Sequence, residues 1–283
     1  MNRLILYLQE FRYPQWSKNI VLFMPIFFGG KLIDLDSLLA ATLGFITFSC
    51  TASLVYVFND LRDIEEDRNH PQKKHRPIAS GKISNKEAIG LLLFLVIVIS
   101  LLTIYINVLP FTLVLFFYLI INLFYSIYLK RVPIIELILV TSCYVLRLLA
   151  GGAITGIVVS SWLLIVIFFG ALLFISGKRL TEKRNSKTRS VLKKYSVTIL
   201  KFIVLFAASA SVTCLLVYSV IQGLLYIPQA IIYGLAVTRY ILLLENSDKG
   251  ESSGIFLDKQ LLSLIFLFSA YTFFIIYYRG HLL

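Results

Sequence analysis

The chain has 283 residues, of which 58% are hydrophobic and only 15% charged, and its formal net charge is +12. Soluble proteins average about 45–50% apolar and about 25% charged residues. The mean hydropathy of +0.84 departs from that norm in the same direction. A soluble core of this size cannot bury so much apolar surface, so the excess must face lipid. The composition therefore excludes a cytosolic enzyme, a disordered chain and a secreted disulfide-rich scaffold.

Nine apolar segments follow one another along the chain. A helix needs about 20 mostly apolar residues to cross about 30 Å of hydrocarbon. The segments are 16–31, 37–58, 87–107, 110–129, 132–155, 159–177, 198–221, 224–244 and 259–279. The first is the weakest, because Pro25 and two glycines interrupt it, and residues 1–18 are too charged for a cleavable signal peptide. We expect an all-α membrane protein of about nine transmembrane helices, with residues 1–283 forming one membrane domain.

The lysines and arginines indicate how these spans are oriented, because cytoplasmic loops carry an excess of both. With the N-terminus in the cytoplasm, only Lys31 and Arg279 fall in outside segments, and Arg147 and Arg239 fall within spans. All the others of the 27 lie on the cytoplasmic side. This bias explains most of the net charge without a nucleic-acid partner. We therefore expect a multi-pass protein of the cell membrane with a cytoplasmic N-terminus.

Acidic residues cluster where the second span meets the cytoplasm. The run from Asn59 to Asp67 reads NDLRDIEED and directly continues the apolar segment. If the helix continues, Asn59, Asp63 and Asp67 stack on one face, with Asp60 beside them. Like charges at this spacing repel, and Mg²⁺ is the natural counter-ion, because it takes hard oxygen ligands and bridges carboxylates to phosphates. The alternative is a solvated acidic helix end that neighbouring arginines neutralise.

A basic loop follows the acidic run within a few residues. Pro71 and Pro77 break the helix there, and the cations between them are Lys73, Lys74 and Arg76. Acidic residues beside a basic loop suit a Mg²⁺–diphosphate, which needs ligands for the metal and donors for its remaining oxygens. The alternative is an ordinary positively charged loop of the cytoplasmic face.

Two further segments lie at the same face of the membrane. Tyr125 and Lys130 close the fourth span, where a lysine is usually a membrane anchor. Lys178 and Glu182 follow the sixth span at positions i and i+4, a spacing that also suits a simple helix salt bridge.

Ionisable residues within the membrane are costly, and so they indicate function. Glu136 and Arg147 lie in the fifth span. They are eleven residues apart, about 16 Å along a helix, so they cannot pair with each other. We expect each of them to meet another helix or a polar cavity.

The acidic run resembles the first motif of the UbiA superfamily of intramembrane prenyltransferases, N-D-x-x-D-x-x-x-D, at all four motif positions. The stretch 125–131 is similar to the superfamily's Y-S-x-x-L-K-R segment. The resemblance implies a helical bundle around a cavity that opens to the cytoplasm, with Mg²⁺ as cofactor and the active site at the cytoplasmic face. The residues that it places in catalysis are Asp60, Asp63, Asp67, Tyr125 and Lys130.

Within this superfamily the chain is most similar to the branch of decaprenyl-phosphate phosphoribosyltransferases. The similarity runs from Gln15 to Tyr240. Typical prenyl-diphosphate users carry a second aspartate-rich motif after span six, where this chain has Lys178, Arg179 and a lone Glu182. A lipid phosphate and phosphoribosyl diphosphate are both anionic, so extra cations at this place reduce their repulsion.

The resemblance implies transfer of phosphoribose from phosphoribosyl diphosphate to a polyprenyl phosphate. Asp60, Asp63 and Asp67, assisted by Asn59, would hold Mg²⁺ on the donor diphosphate. The other residues expected to bind substrate are Lys18, Lys73, Lys74, Arg76, Glu136, Arg147, Lys178, Arg179 and Glu182. Two alternatives stay open. One is a conventional prenyltransferase, which the missing second motif disfavours. The other is a transporter or flippase, whose charges would lie mid-membrane rather than at one face.

Overall fold

The computed structural model describes residues 3–184, 190–246 and 258–279, and regular structure in these ranges is entirely helical. The α-helices are α1 (Arg3–Glu10), α2 (Met24–Phe28), α3 (Leu35–Arg62), α4 (Ile64–Arg68), α5 (Asn85–Ile106), α6 (Leu109–Ile127), α7 (Ile135–Thr155), α8 (Ser161–Arg184), α9 (Ser190–Lys194), α10 (Val197–Gln222), α11 (Ile227–Asn246) and α12 (Lys259–Arg279). The 3-10 helices are Tyr13–Phe23, Lys73–His75, Leu129–Arg131 and Leu224–Tyr226.

Eight helices of the described ranges are long and apolar enough to cross a membrane, namely α3, α5, α6, α7, α8, α10, α11 and α12. They coincide with eight of the nine predicted spans, which confirms the all-α membrane class. On α5, Leu93, Phe94, Ile97 and Leu101 are each more than half exposed. A soluble protein rarely leaves such an apolar surface uncovered, so this surface suits contact with lipid.

The first predicted span, 16–31, is not a long α-helix. Tyr13–Phe23 form a 3-10 helix of 11 residues, and Met24–Phe28 form a single α-helical turn of 5. A 3-10 helix rises about 2.0 Å per residue and an α-helix about 1.5 Å, so the two together extend about 30 Å. The segment is therefore long enough to cross the hydrocarbon despite its few residues.

This 3-10 helix runs antiparallel to α3 and contacts it once per turn. Trp16 Nε1 donates to Ser53 Oγ at 3.1 Å, and Asn19 Nδ2 donates to Ser49 Oγ at 2.9 Å. Leu22, three residues further on, is fully buried. A 3-10 helix has three residues per turn, so these side chains form one ridge. The spacing of three residues matches the period of the 3-10 helix, which keeps these side chains on the face towards α3.

Contacts divide the chain into two compact units. The first comprises Met1–Ile26, Lys31–Ile127 and Leu146–Val158, and the second comprises Phe27–Gly30, Tyr128–Val145 and Val159–Leu283. The prediction that residues 1–283 form one membrane domain stays a prediction.

A hydrophobic core of the first unit lies at the end of α3, next to the acidic run. Leu6 of α1, Val57 of α3, Ile78 and Ile83 of the loop after α4, and Leu95 of α5 pack together there. Because α1 and that loop share one core with α3, residues distant in sequence are held close to the end of α3.

In the second unit, α8 lies close to α11 because of a glycine. A Cβ atom added at Gly177 would lie 2.5 Å from Tyr240 Oη and 2.8 Å from Leu244 Cδ1, both on α11. Leu173 of α8 and Leu200 of α10 are buried in the same core. The cytoplasmic end predicted for α8, which carries Lys178 to Glu182, is therefore helical and tightly packed.

Candidate active site

The acidic run follows an almost unbroken helical path. The helix α3 ends at Arg62, and Asp63, with φ −96° and ψ 18°, separates it from α4. The hydrogen bonds from Asp63 N to Asn59 O at 2.9 Å and from Asp67 N to Asp63 O at 2.8 Å continue across the break. Asp60 and Asp67 are buried, at 3% and 1% exposure. The predicted succession of these residues along a helix therefore holds for the backbone.

Three cations pair with the two buried aspartates. Arg12 Nη2 donates to Asp60 Oδ1. Arg76 Nη1 lies 3.0 Å from Asp60 Oδ1 and 2.6 Å from Asp67 Oδ2, so one guanidinium bridges both carboxylates. Lys73 Nζ lies 3.2 Å from Asp67 Oδ1. The structure thus brings the acidic run and the basic loop together. We call Asp60, Asp67, Arg12, Lys73 and Arg76 the acidic–basic cluster.

The loop between α4 and α5 returns its cations to the acidic run because its own fold is tight. Lys73–His75 form a 3-10 turn, and Ile78 and Ile83 are buried beyond it. Arg68 Nε donates to the carbonyl oxygen of Ala79 at 3.3 Å, which closes the loop onto α4. The two basic residues of the cluster that lie on this loop are therefore positioned by packing as well as by charge.

Glu10 places a further carboxyl beside the acidic–basic cluster. Its side chain is 1% exposed, and neither oxygen reaches full hydrogen-bond geometry with any partner among the described residues. Burial, and after it the negative charge of Asp60, raise the pKa of Glu10 to about 8. Arg12, Arg76 and the backbone N–H of Ile78 act in the opposite direction but are outweighed.

Two further oxygens, Asn59 Oδ1 and Asp67 Oδ1, are buried without a hydrogen-bond partner in the described chain, since the Lys73 ion pair lacks hydrogen-bond geometry. Mg²⁺ prefers such oxygens, and it is commonly held by one or two carboxylates together with water and substrate phosphates. Among the described residues, no three His, Cys, Asp or Glu side chains form a group that could hold a metal alone. The residues therefore fit a Mg²⁺ shared with a diphosphate rather than one caged by protein.

Arg147 forms a second buried polar centre in the first unit. Its Nε donates to Asn19 Oδ1 at 2.7 Å and its Nη2 to Tyr118 Oη at 3.3 Å. The guanidinium carbon also lies 5.2 Å from the ring centroid of Phe48 and 5.1 Å from that of Tyr118. Arg147 thus ties α7 to the first 3-10 helix and to α6, in agreement with the expectation that it meets other helices.

Glu136 meets Arg179 in the second unit. Arg179 Nε and Nη2 donate to the two carboxylate oxygens of Glu136 at 2.7 and 3.0 Å, and Nη1 donates to Glu182 Oε2 at 3.0 Å. The side chains of Arg179 and Glu136 are only 6% and 0% exposed. This two-point pairing neutralises Arg179. Its predicted contact with substrate phosphate stays a prediction, and it requires the guanidinium to leave these carboxylates.

The other predicted residues occupy helix ends and turns. Tyr125 lies in the last turn of α6, Lys130 in the 3-10 turn that follows, Lys18 in the first 3-10 helix, Lys74 in the loop turn and Lys178 in α8. Lys74 is exposed, and the rest of these are partly buried.

Sequence reasoning missed Arg12 and Glu10 as site residues. Arg12 reads as one more cytoplasmic cation, because 48 residues separate it from Asp60. Glu10 carries a weak signal, since it follows Leu6 by four residues and both are buried on one face of α1. A carboxylate on an apolar face is unusual and indicates a polar partner or a ligand.

The fold is that of a multi-pass membrane protein, and the acidic–basic cluster gives it a buried charged site. Residues 20–270 match the model of the UbiA prenyltransferase family, and the chain belongs to that family. The resemblance noted from the acidic run is therefore confirmed.

Two curated relatives are similar over most of their length. The chain is 33% identical to the decaprenyl-phosphate phosphoribosyltransferase of Mycobacterium tuberculosis over 266 residues, which cover 89% of this chain and 88% of that one. It is 32% identical to the enzyme of the same name from Corynebacterium glutamicum over 275 residues, covering 92% and 83%.

Solved structures confirm the fold. A UbiA homolog from Archaeoglobus fulgidus bound to DMAPP and Mg²⁺ superposes with a TM-score of 0.72 at 22% identity, covering 95% of this chain and 98% of that one. A digeranylgeranylglyceryl phosphate synthase superposes with a TM-score of 0.68 at 21% identity, covering 98% and 99%.

Proposed function

We propose that this enzyme transfers phosphoribose from phosphoribosyl diphosphate to a polyprenyl phosphate and releases diphosphate, with Mg²⁺ as cofactor. The relatives that bear this activity in their names are about one-third identical to the chain over most of its length. The observation that carries the proposal is the acidic–basic cluster, which offers buried carboxylates to a metal and three cations to phosphate oxygens.

The binding of the donor uses the carboxylates and the cations in different ways. Asp60, Asp63 and Asp67, with Asn59 Oδ1, would hold Mg²⁺, which neutralises charge on the diphosphate when bound. Lys73 and Arg76 turn from the carboxylates to diphosphate oxygens, and Lys18 and Lys74 add positive charge nearby. Positive charges set in place before the reaction stabilise a departing diphosphate without further reorganisation.

The transfer step needs few other groups. A phosphate oxygen of the lipid forms a bond to the anomeric carbon of the ribose, and the bond from that carbon to diphosphate breaks. The electron pair of the broken bond leaves with the diphosphate, whose charge the cluster stabilises. A phosphate monoester is already ionised at neutral pH, so the step requires no general base.

The remaining predicted residues receive more limited roles. We assign contact with an anionic substrate to Lys178 and Lys130 of the second unit, and separately to Tyr125 of the first unit. Arg179 is neutralised by Glu136 and Glu182, so we assign it the positioning of these two carboxylates. Arg147 supports the first unit through Asn19.

We place the enzyme in the cell membrane with the N-terminus and the acidic–basic cluster on the cytoplasmic side. Supporting this, the great majority of the lysines and arginines lie in the segments that this orientation puts inside. Phosphoribosyl diphosphate is a charged, water-soluble donor, which a cytoplasmic site can reach directly.

The proposal is tested with purified protein in detergent and a choice of two donors. The protein receives Mg²⁺ and either phosphoribosyl diphosphate or a prenyl diphosphate, each with and without a polyprenyl phosphate. We expect diphosphate release only with phosphoribosyl diphosphate, only with the lipid phosphate and only without EDTA. Turnover of the prenyl diphosphate with an aromatic acceptor, and none of phosphoribosyl diphosphate, would instead establish a conventional prenyltransferase.

A further inference from the structure

Glu10 is a buried carboxyl that the proposed reaction leaves unexplained. It ends α1, its side chain is 1% exposed, and neither oxygen reaches full hydrogen-bond geometry with a described residue, although the backbone N–H of Ile78 lies near the carboxyl. Burying a carboxyl without hydrogen bonds is costly, and buried polar groups without partners are rare in folded proteins. An orphaned carboxyl at this depth therefore points to a ligand.

The surroundings of Glu10 identify the part of the molecule that such a ligand would occupy. Glu10 precedes Arg12 by two residues, and Leu6 on the same face of α1 packs in one core with Ile78, two residues after Arg76. Arg12 and Arg76 both pair with Asp60, so the acid lies beside the residues to which we assign the donor diphosphate. A ligand group that contacts Glu10 is thus a neighbour of that diphosphate.

The chemistry of a carboxyl decides which neighbour this is. A hydroxyl group both donates and accepts hydrogen bonds and so suits the carboxyl in either protonation state, whereas a phosphate oxygen can only accept and is repelled by the ionised form. An acidic side chain is the usual partner of a ribose hydroxyl in nucleotide sites.

We propose that Glu10 binds the ribose hydroxyls of the donor and so selects phosphoribosyl diphosphate over a prenyl diphosphate, which has no hydroxyls. This inference rests on the proposed function. With two oxygens available, the carboxyl can meet the two adjacent hydroxyls of the ring. Glu10 is then a specificity-determining residue that the motif of the acidic run does not include.

The test compares donors and variants in one cycle. Wild type, Glu10→Leu and Glu10→Gln are assayed with phosphoribosyl diphosphate and with its 2-deoxy and 3-deoxy analogues, all with Mg²⁺ and polyprenyl phosphate. We expect Glu10→Leu to lower kcat/KM for the full donor about 10- to 100-fold, the usual effect of leaving a buried hydrogen-bonding group without its partner. Wild type should lose a similar factor on at least one deoxy donor, and Glu10→Leu should lose little more there.

Inhibition by inorganic diphosphate with Mg²⁺ separates substrate recognition from a structural role, because diphosphate has no hydroxyls. Its inhibition constant for Glu10→Leu should stay within about twofold of the wild-type value. In kcat/KM for the full donor, Glu10→Gln, which keeps one acceptor oxygen, should lie between wild type and Glu10→Leu. Glu65→Leu is the matched control. Glu65 is exposed and pairs only locally with Arg68 in the described contacts, so this variant should keep wild-type kinetics.

The outcomes are distinct. A wild type that turns over phosphoribosyl diphosphate while Glu10→Leu behaves like Glu65→Leu overturns the inference and leaves the proposed function standing. Equal losses toward the full donor and inorganic diphosphate make Glu10 a support of the cluster, which also overturns it. A wild type that does not use phosphoribosyl diphosphate overturns the proposed function and this inference together.

Discussion

A single arginine joins the two buried aspartates of the acidic run. Arg76 Nη1 contacts Asp60 and Asp67 at 3.0 and 2.6 Å, and Lys73 approaches the other oxygen of Asp67 at 3.2 Å. These pairs keep carboxylates that would repel one another close together. If the carboxylates bind a diphosphate through a metal, as we propose, two cations already lie beside it, and substrate binding would exchange the partners of these cations.

The substitution Asp67→Asn should nearly abolish turnover. The change removes one charged oxygen from the site assigned to Mg²⁺ and one partner from Arg76, and we expect kcat to fall about 100-fold or more. The measurement is turnover during a Mg²⁺ titration, with size-exclusion chromatography to show that the variant is folded. Glu65→Gln, an exposed change in the same run, is the control. If Asp67→Asn turns over at the wild-type rate, or if the wild type is active in EDTA, the assignment of Mg²⁺ to this site is wrong.

The raised pKa of Glu10 predicts a pH-dependent stability. The folded protein holds this pKa at about 8 against an ordinary value of 4.5, so the neutral carboxyl is favoured in the fold. The contribution of the neutral Glu10 carboxyl to the free energy of unfolding is fully present below pH 4.5 and is lost as the pH rises through 8. The variant Glu10→Gln cannot ionise at this position. In EDTA, its free energy of unfolding relative to that of wild type should therefore rise by about 1 kcal/mol per pH unit across this window. Thermal unfolding between pH 5.5 and 8.5 measures it, and a constant difference between the two proteins contradicts it.

The sequence predicts contacts between residues that are close along the chain, but not contacts between residues that are far apart in it. Asn59 to Asp67 are neighbours in sequence, so helical periodicity alone places them at one helix end. The contact of Arg12 with Asp60 spans 48 residues and depends on α1 packing against Val57 and Ile78. No local pattern contains that information.

The same distinction explains which helices could be predicted. Hydropathy decides the length of a membrane helix, and eight predicted spans agree with the observed helices to within a few residues, apart from longer C-terminal extensions of α3 and α8. The first 3-10 helix differs because its winding follows from contacts of Trp16, Asn19 and Leu22 with other elements. Tertiary contacts of this kind leave no periodic signal in the sequence.

The pair of Glu136 and Arg179 links α7 to α8 in the second unit and should matter for folding more than for catalysis. Both side chains are almost fully buried, and removing one partner of such a pair typically costs about 3–5 kcal/mol. We expect Arg179→Ala to lower the thermal unfolding temperature strongly. The double variant Glu136→Gln with Arg179→Met should recover much of the loss, because no unpaired charge then remains at this contact.

Kinetics separate this role from direct phosphate binding by Arg179. Lys201→Ala, which changes an exposed lysine of α10, is the control and should affect neither stability nor turnover. If Arg179→Ala unfolds at the wild-type temperature while its KM for donor or acceptor rises at least 10-fold, the residue contacts substrate and the positioning role is wrong.

At the scale of the whole molecule, the first 3-10 helix decides whether the chain crosses the membrane eight or nine times, and so whether the two termini lie on the same side. Eight long helices of the described ranges are candidates for crossing the membrane, and an even number would place both termini on one side. The antiparallel contacts of this segment with α3 extend from Trp16 to Phe23, whose ring lies 5.8 Å from that of Phe45. Since α3 crosses the membrane, a segment of about 30 Å that follows it in the opposite direction should cross as well.

Cysteine labelling tests this ninth crossing. In a chain whose three native cysteines are replaced by alanine, Gln9→Cys and Asp36→Cys flank the segment, and both positions are exposed. We expect a membrane-impermeant maleimide to reach Gln9→Cys only from the cytoplasm and Asp36→Cys only from outside, because the lysines and arginines favour a cytoplasmic N-terminus. Asn85→Cys and Asn107→Cys, at the two ends of α5, are the matched pair and should likewise react from opposite sides. If that pair does so while Gln9→Cys and Asp36→Cys react from the same side, the segment enters and leaves through one face. The chain then crosses eight times, and Glu10 and Arg12 lose their predicted access to a cytoplasmic donor.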